Sequence, residues 1–314
     1  MKKERIEDLR QFVTEHQFPT DILVEVITKC NLNCIMCPHD QMTREQGRMS
    51  MQLWRKIIDE VAEVSPDTRI WPAVMGEPLL RGGEIFEMVR YASDKGVEVH
   101  LNTNMKAFEP EMLDPLFDSG LVELLIGLDG ASPKVYETVR RTGNYSRVIE
   151  NIHLILDEKE RRGLDKPRLT LQFIVMEENA HEQEAFVQYW QGTGKKVRLK
   201  LKPRTGWVGA VSPWFNGDDP LSAARDIPCT WLLRQMTVFW NGHIPQCDGD
   251  WDGGTFMGDV NRQSLLEIWQ GPLKLLRERH LRLDFKDLPC ENCLDWQAGR
   301  SRWVQCGDEE SSDS

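Results

Sequence analysis

Three cysteines lie close together directly after an apolar run near the N-terminus, and their spacing constrains this chain more than any other feature. Cys30, Cys34 and Cys37 form a C-x3-C-x2-C pattern. Three thiolates spaced in this way can hold three corners of an iron–sulfur cube. The alternatives are a zinc site or idle thiols, but structural zinc usually takes four protein ligands arranged in paired C-x2-C knuckles. The pattern therefore predicts a cluster with one iron left open to a small molecule.

The N-terminal sequence and the lengths of the apolar runs indicate the cellular compartment of the protein. The N-terminus has no apolar signal segment, and no window approaches about 18 uninterrupted apolar residues. We therefore expect a cytoplasmic protein with no membrane contact, in which the eight cysteines are reduced. The net charge of −11 argues against binding to nucleic acid, because such binding depends on cations that neutralise phosphates.

Six short β-branched or aliphatic runs alternate with segments of helical period. Such an alternation is typical of βαβ units that form a parallel sheet. Six units are fewer than the eight that close a TIM barrel, so we predict an α/β fold with an open, partial (β/α)6 barrel. The strands are expected at residues 22–28, 68–75, 97–102, 121–128, 168–175 and 196–201, and the helices at 51–64, 83–95, 110–119, 132–141, 145–162 and 180–191.

Composition changes along the chain suggest five segments. A small module rich in cysteine follows a stretch rich in Pro and Gly, and its core would be supported by metal rather than by size. The last residues are acidic and serine-rich, a composition that favours disorder. The predicted segments are an N-terminal helical extension over 1–20, the barrel over 21–202, a linker over 203–226, the module over 227–306 and a disordered tail over 307–314.

A second set of cysteines lies in the predicted module. Cys229, Cys247, Cys290 and Cys293 form a C-x17-C-x42-C-x2-C pattern. Four thiolates can close a tetrahedral zinc site or saturate a [4Fe–4S] cluster, and spacing alone does not choose between them. Cys306 is left over, and we predict that it is not a ligand.

The first cysteine pattern, placed after the first strand of a β/α chain, resembles the signature of the radical S-adenosylmethionine (SAM) superfamily. The resemblance implies that Cys30, Cys34 and Cys37 hold a catalytic [4Fe–4S] cluster whose open iron is chelated by SAM. It also implies SAM contacts near the ends of the following strands. Gly127 stands where relatives often have serine. The contacts implied are Gly76, Glu77 and Pro78 near the methionine ammonium, Asn102, Asn104, Asp129 and Arg140 near the ribose or carboxylate, and Gln172 and Val175 near the adenine.

The C-terminal sequence is similar to the SPASM and twitch modules, which carry auxiliary clusters in radical SAM enzymes. The likeness covers residues 237–247, 257–260 and 264–269. A full SPASM module uses more cysteines, so a twitch-like module with one auxiliary [4Fe–4S] cluster on Cys229, Cys247, Cys290 and Cys293 is the better match. The spacing comes closest to that of the 2-deoxy-scyllo-inosamine dehydrogenases of antibiotic biosynthesis.

These resemblances imply an enzyme that reductively cleaves SAM and uses the 5′-deoxyadenosyl radical to abstract hydrogen from a small substrate. With an auxiliary cluster as electron acceptor, we predict oxidation of a secondary alcohol of a sugar or aminocyclitol to a ketone, with a donor such as flavodoxin or ferredoxin. A small substrate is favoured because the roughly 20 residues before the first strand are too few for the recognition domain of many peptide maturases. The alternatives are a peptide maturase, an epimerase or another redox-neutral sugar-modifying enzyme, and a non-catalytic iron–sulfur or zinc protein. No catalytic acid or base is assigned.

Overall fold

The computed structural model of the chain describes residues 2–214, 227–297 and 301–307. Six parallel strands pair in the order of the sequence, and a single parallel bridge between Ile70 and Val99 joins the second strand to the third. The predicted partial (β/α)6 barrel is confirmed. Its strands are β1 (Asp21–Val24), β2 (Arg69–Trp71), β3 (His100–Thr103), β4 (Glu123–Gly127), β5 (Arg168–Val175) and β6 (Val197–Pro203).

The helices cover the outer face of this sheet, close to where the sequence predicts them. In α2 the Ser50 side chain caps the N-terminus, and Trp54 packs inward and donates its indole N–H to the Met88 carbonyl at 2.9 Å. The fourth helix is shorter than expected because a 3-10 turn, Pro110–Met112, takes its first residues. The helices are α1 (Lys2–Glu15), α2 (Met51–Val64), α3 (Glu84–Asp94), α4 (Leu113–Asp118), α5 (Pro133–Arg140), α6 (Tyr145–Arg162) and α7 (Gln183–Gly192).

The region after residue 227 adds two more strands to the barrel sheet. Strand β7 (Gln235–Val238) pairs in parallel with β1, and β10 (Arg302–Cys306) pairs antiparallel with β6. The sequence analysis ended the barrel at residue 202, whereas both edges of the sheet come from the region assigned to the module. Helix α8 (Thr230–Arg234) directly precedes β7. The elements between β7 and β10 in the chain are β8 (His243–Ile244), β9 (Gly258–Asp259), α9 (Leu265–Gln270) and α10 (Pro272–Leu281).

Four of the five predicted segments lie partly outside the described residues, namely the N-terminal extension at residue 1, the linker at 215–226, the module at 298–300 and the acidic tail at 308–314. The described start of the linker contacts the barrel, because the Trp207 indole N–H donates to the Met36 carbonyl at 2.9 Å. None of the helices in the described ranges has the length and apolar character needed to cross a membrane.

The two faces of the sheet differ in chemistry. On β6 the apolar residues Val197, Leu199 and Leu201 are buried in the core shared with the helices. The alternate residues of the same strands point to the inside of the barrel, where they are largely polar or charged. The core therefore lies between sheet and helices, and the inside of the barrel is a polar cavity rather than a packed core.

Candidate functional site

A cavity of about 660 Å³ lies inside the barrel and extends to the C-terminal region. Seven of the eight cysteines lie on the cavity wall, namely Cys30, Cys34, Cys37, Cys229, Cys247, Cys290 and Cys293. The two sets of cysteines therefore face one common space. The eighth cysteine, Cys306, lies at the end of β10, where it is buried in the outer core and lines a separate pocket.

The loop that follows β1 holds the first three thiols. Its backbone is fixed from two sides, since the Ile35 N–H donates to the Val139 carbonyl at 3.0 Å, and Trp207 holds Met36. Burial raises the pKa of Cys30 to about 11 and that of Cys37 to about 12. The thiols are therefore protonated until a cation replaces their protons, as expected for soft metal ligands. Three thiols on one loop, with no fourth cysteine beside them in sequence, fit a cluster that keeps one iron open.

The second set of thiols comes from three separate parts of the C-terminal region. Cys229 directly precedes α8, Cys247 follows β8, and Cys290 and Cys293 belong to a turn in which the Cys293 N–H donates to the Cys290 carbonyl at 3.3 Å. Burial raises the pKa of Cys293 to about 12, and the charges of Asp295, Cys229 and Cys290 add to this effect. Four thiols gathered in this way fit a cluster ligated fully by protein.

Gly76 and Glu77 follow β2 and pack against the first cysteine loop. A β-carbon on Gly76 would lie 1.9 Å from the Ile27 carbonyl oxygen, so only glycine allows this approach. The Glu77 carboxylate is buried and accepts hydrogen bonds from the Leu79 N–H, the Thr103 hydroxyl and the Asn104 N–H at 2.7 to 3.0 Å. Because a carboxylate has about four acceptor positions, one remains for a donor in the cavity.

Arg140 lies at the end of α5 and reaches the cavity between β4 and the first cysteine loop. Its Nη1 lies 3.8 Å from the Cys34 sulfur, and its Nη2 lies 2.6 Å from Oδ2 of Asp129. The Asp129 carboxylate also accepts the Ile174 N–H at 2.6 Å. Asp129 is fully buried behind Arg140 and is not part of the cavity wall. The structure thus places Asp129 where it orients Arg140, and not where the sequence analysis expected a ligand contact.

The remaining predicted SAM contacts divide into two groups. Asn102, Asn104 and Gln172 line the cavity, and the buried Oδ1 of Asn102 has no hydrogen-bond partner. Val175 does not line the cavity, because alternate residues of β5 face opposite sides and Val175 belongs to the outer core, as its neighbour Phe173 does. Pro78 is buried at the start of the 3-10 turn Pro78–Arg81 and likewise does not reach the cavity wall.

Several residues of the cavity wall were not found by the sequence analysis. The alternation of basic and aliphatic residues over 197–204 was an available signal, because it places every basic residue on one face of a strand. Two tryptophans and two half-buried acids are also on the wall. These residues are Arg198, Lys200, Lys202, Arg204, Trp231, Arg234, Asp248, Asp295 and Trp303.

Curated relatives match parts of the chain. An AdoMet-dependent heme synthase of Methanosarcina barkeri is 31% identical over 44% of this chain and 39% of its own length. The mycofactocin maturase MftC of Mycolicibacterium smegmatis is 26% identical over 62% of this chain and 48% of its own length. The chain thus spans about half or less of the length of these two relatives.

A solved structure, that of BtrN in complex with AdoMet and 2-DOIA, superimposes with a TM-score of 0.59 over 88% of this chain and 93% of that chain. At 16% identity this likeness concerns the fold. Residues 24–187 match the radical SAM superfamily, and residues 229–294 match SPASM, an iron–sulfur cluster-binding domain. These two matches support the cofactors expected from the sequence, which are SAM and [4Fe–4S] clusters. The chain therefore belongs to the radical SAM superfamily and carries a C-terminal SPASM domain.

Proposed function

We propose that this protein oxidises a secondary alcohol of a small sugar- or cyclitol-like substrate to a ketone. The observation that carries the proposal is that two separate sets of cysteines line one cavity. A substrate in this cavity lies between a site that can generate a radical and a site that can accept an electron. Catalysis by abstraction of hydrogen alone would require only the first site.

The reaction balances with the cofactors of the family. Cleavage of SAM at the first cluster supplies a 5′-deoxyadenosyl radical and methionine, and the second cluster supplies an electron acceptor. The alcohol then loses one hydrogen atom to the radical, one proton to solvent and one electron to the acceptor. The first cluster needs one electron for each SAM cleaved, from a donor such as flavodoxin or ferredoxin.

The residues around the first site would position SAM. We assign the free acceptor position of Glu77 to the methionine ammonium and the Arg140 guanidinium to the methionine carboxylate, because opposite charges pair best when partly buried. The Oδ1 of Asn102 would accept a hydrogen bond from a ribose hydroxyl, which would give this unpaired atom a partner. Trp207 covers the first cysteine loop and would help to exclude water that quenches radicals.

The position of Cys306 supports oxidation over epimerisation. An epimerase returns a hydrogen atom to the substrate radical, and a thiol is the best side-chain donor because its S–H bond is weak. All eight cysteines lie in the described residues, and Cys306 faces the outer core rather than the cavity. Every thiol on the cavity wall already belongs to one of the two proposed cluster sites.

Anaerobic reconstitution and reduction with dithionite in the presence of SAM would test the proposal. We expect 5′-deoxyadenosine from the wild-type protein and none from Cys30→Ala, Cys34→Ala or Cys37→Ala. Cys247→Ala should still cleave SAM but should give no ketone, and Cys306→Ala is the matched control that should retain both activities. With an accepted alcohol that carries deuterium on the carbinol carbon, deuterium should appear in 5′-deoxyadenosine. SAM cleavage without ketone, with the hydrogen returned to the opposite face of the same carbon, would identify an epimerase instead.

A further inference from the structure

The inner face of β6 carries four cations in succession. Arg198, Lys200, Lys202 and Arg204 all line the cavity, and the residues between them are apolar or Pro203. Alternate residues on a strand are about 6.5 to 7 Å apart, so these cations form a continuous row. Arg234, at the end of α8, lines the same cavity. A row of like charges in a partly buried space is unfavourable unless acids or a ligand balance it.

Acids of the protein balance only part of this row. Arg198 lies 3.6 Å from Glu123, and Arg204 lies 3.6 Å from Glu178. Lys202 is next to the negative charge of Asp248, the residue that follows Cys247. By contrast, across the ranges that the structure describes, Lys200 and Arg234 have no carboxylate within the 4.0 Å of an ion pair. Lys200 and Arg234 are therefore available to bind an anion that is not part of the protein.

Aromatic rings hold the two cations in place. The Lys200 Nζ lies 5.3 Å from the ring centre of Trp303, and the Arg234 guanidinium lies 4.7 Å from the ring centre of Trp231. A ring face positions a cation without neutralising it, so both groups keep their charge for a ligand. Cations held in this way are typical of a ligand-binding site. The ring contacts alone do not explain why two cations would be needed here as structural residues.

SAM does not account for this site. Its one acidic group is a carboxylate, which Arg140 can hold through Nη1, the nitrogen that approaches the first cysteine loop while Nη2 pairs with Asp129. The charge of Arg234 is among those that lower the pKa of Lys200, so these two cations lie near each other in the cavity although β6 and β7 are distant in the strand order. The chain as a whole carries a net charge of −11, so an excess of cations inside its cavity is a local feature. The unbalanced charge therefore faces the part of the cavity that is left for substrate.

We propose that Lys200 and Arg234 bind a phosphate group of the substrate. A phosphate monoester carries about −1.5 to −2 charges at neutral pH, which matches two cations, whereas a carboxylate matches one. The inference rests on the proposed function, in that the substrate occupies this cavity. It narrows that substrate to a phosphorylated polyol. The ammonium group of an aminocyclitol would be repelled by the same row of cations.

Titration of the anaerobically reconstituted protein with inorganic phosphate, followed by calorimetry in phosphate-free buffer, would test the inference. Lys200→Met and Arg234→Gln should each weaken phosphate binding about tenfold or more, because each removes a hydrogen bond between charged groups. Lys200→Arg should restore affinity to within about threefold of the wild type, since it keeps the charge and thereby shows that the fold tolerates substitution there. Lys274→Met and Arg262→Gln, at exposed positions outside the cavity, are the matched controls and should bind phosphate as the wild type does.

The outcomes separate this inference from the proposed function. Wild-type protein that forms 5′-deoxyadenosine but does not bind phosphate would overturn the phosphate site alone. Phosphate binding that depends on Lys200 and Arg234, in protein that never cleaves SAM, would support the site and overturn the radical function. Acetate that binds as tightly as phosphate, or equal phosphate affinity in Lys200→Met and Lys274→Met, would refute the assignment of a phosphate group.

Discussion

A β-carbon on Gly127 would lie 2.1 Å from Nη2 of Arg140, so the guanidinium occupies the space that any other side chain at residue 127 would need. Gly127 ends β4, and Arg140 ends α5. The glycine thus allows Arg140 to lie against the strand while it pairs with Asp129 and approaches Cys34. A serine side chain at residue 127 would compete with the arginine for this position.

Substitution Gly127→Ala should therefore displace Arg140 and weaken SAM binding about tenfold, the effect expected when one charged hydrogen bond is lost. Equilibrium binding of SAM to the reconstituted protein measures this effect. Gly192→Ala is the control, because a β-carbon there would meet nothing within 4 Å. Unchanged SAM affinity in Gly127→Ala would show that Arg140 does not contact SAM.

Asp129→Asn should leave the charge of Arg140 buried without its acid. Removal of one partner of a buried ion pair costs about 3 to 5 kcal/mol, so we expect a lower midpoint of urea unfolding as well as weaker SAM binding. In a double-mutant cycle the effects of Asp129→Asn and Gly127→Ala on SAM affinity should not add, since both act through Arg140. Additive effects would mean that Asp129 contributes by another route.

Phosphate binding should depend on pH through Lys200. Burial lowers the pKa of Lys200 to about 8, and the cations Lys202, Arg234 and Arg198 contribute, whereas Glu123 opposes the shift. Lys200 therefore loses its charge as pH rises through 8, and phosphate affinity should fall by up to about tenfold for each pH unit above that value. In Lys200→Arg the guanidinium stays charged, so this fall should disappear. Affinity that stays constant from pH 7 to 9.5 in the wild type would contradict the role of Lys200.

Glu123 at the start of β4 should stabilise the barrel. Burial alone would raise the pKa of Glu123, but hydrogen bonds with His100 and Thr170 and the charge of Arg198 outweigh it and lower the pKa to about 2. A carboxyl with a lowered folded-state pKa contributes stability above its ordinary pKa of about 4.5, and this contribution is lost as pH falls towards 2. At pH 7 it is fully present, so Glu123→Gln should reduce the free energy of unfolding by about 2 kcal/mol. Urea unfolding measures this change, with the exposed Glu111→Gln as control, and equal midpoints for the two variants would refute it.

The sequence predicted the six barrel strands because each combines a β-branched or aliphatic run with a helix before the next. It did not predict β7 as a neighbour of β1, since the four residues Gln235–Val238 form no clear strand pattern and do not indicate which strand they pair with. Local pattern also failed for side chains whose direction depends on tertiary structure. Val175 belongs to the outer core and Ile174 to the cavity because of the register of β5, and Asp129 faces Arg140 only after α5 packs against β4.

The cysteines were the most informative residues in the sequence. Their spacing is a direct consequence of ligand geometry, so it can be interpreted before the fold is known. Lys200 and Arg234 are 34 positions apart in the numbering, and only the packing of α8 and β7 beside β1 brings Arg234 to the cavity that Lys200 faces. The alternation over 197–204 marks Lys200 as a residue of one strand face, but no local pattern connects it with Arg234.

Strands β7 and β10 occupy the two edges of the barrel sheet. Without them, β1 and β6 would present rows of unpaired peptide N–H and C=O groups, which are templates for pairing with other chains. The part of the chain that supplies the second set of cysteines thus also protects the barrel against edge-to-edge aggregation. A barrel released from this region by cleavage would expose both edge strands and would be prone to aggregate.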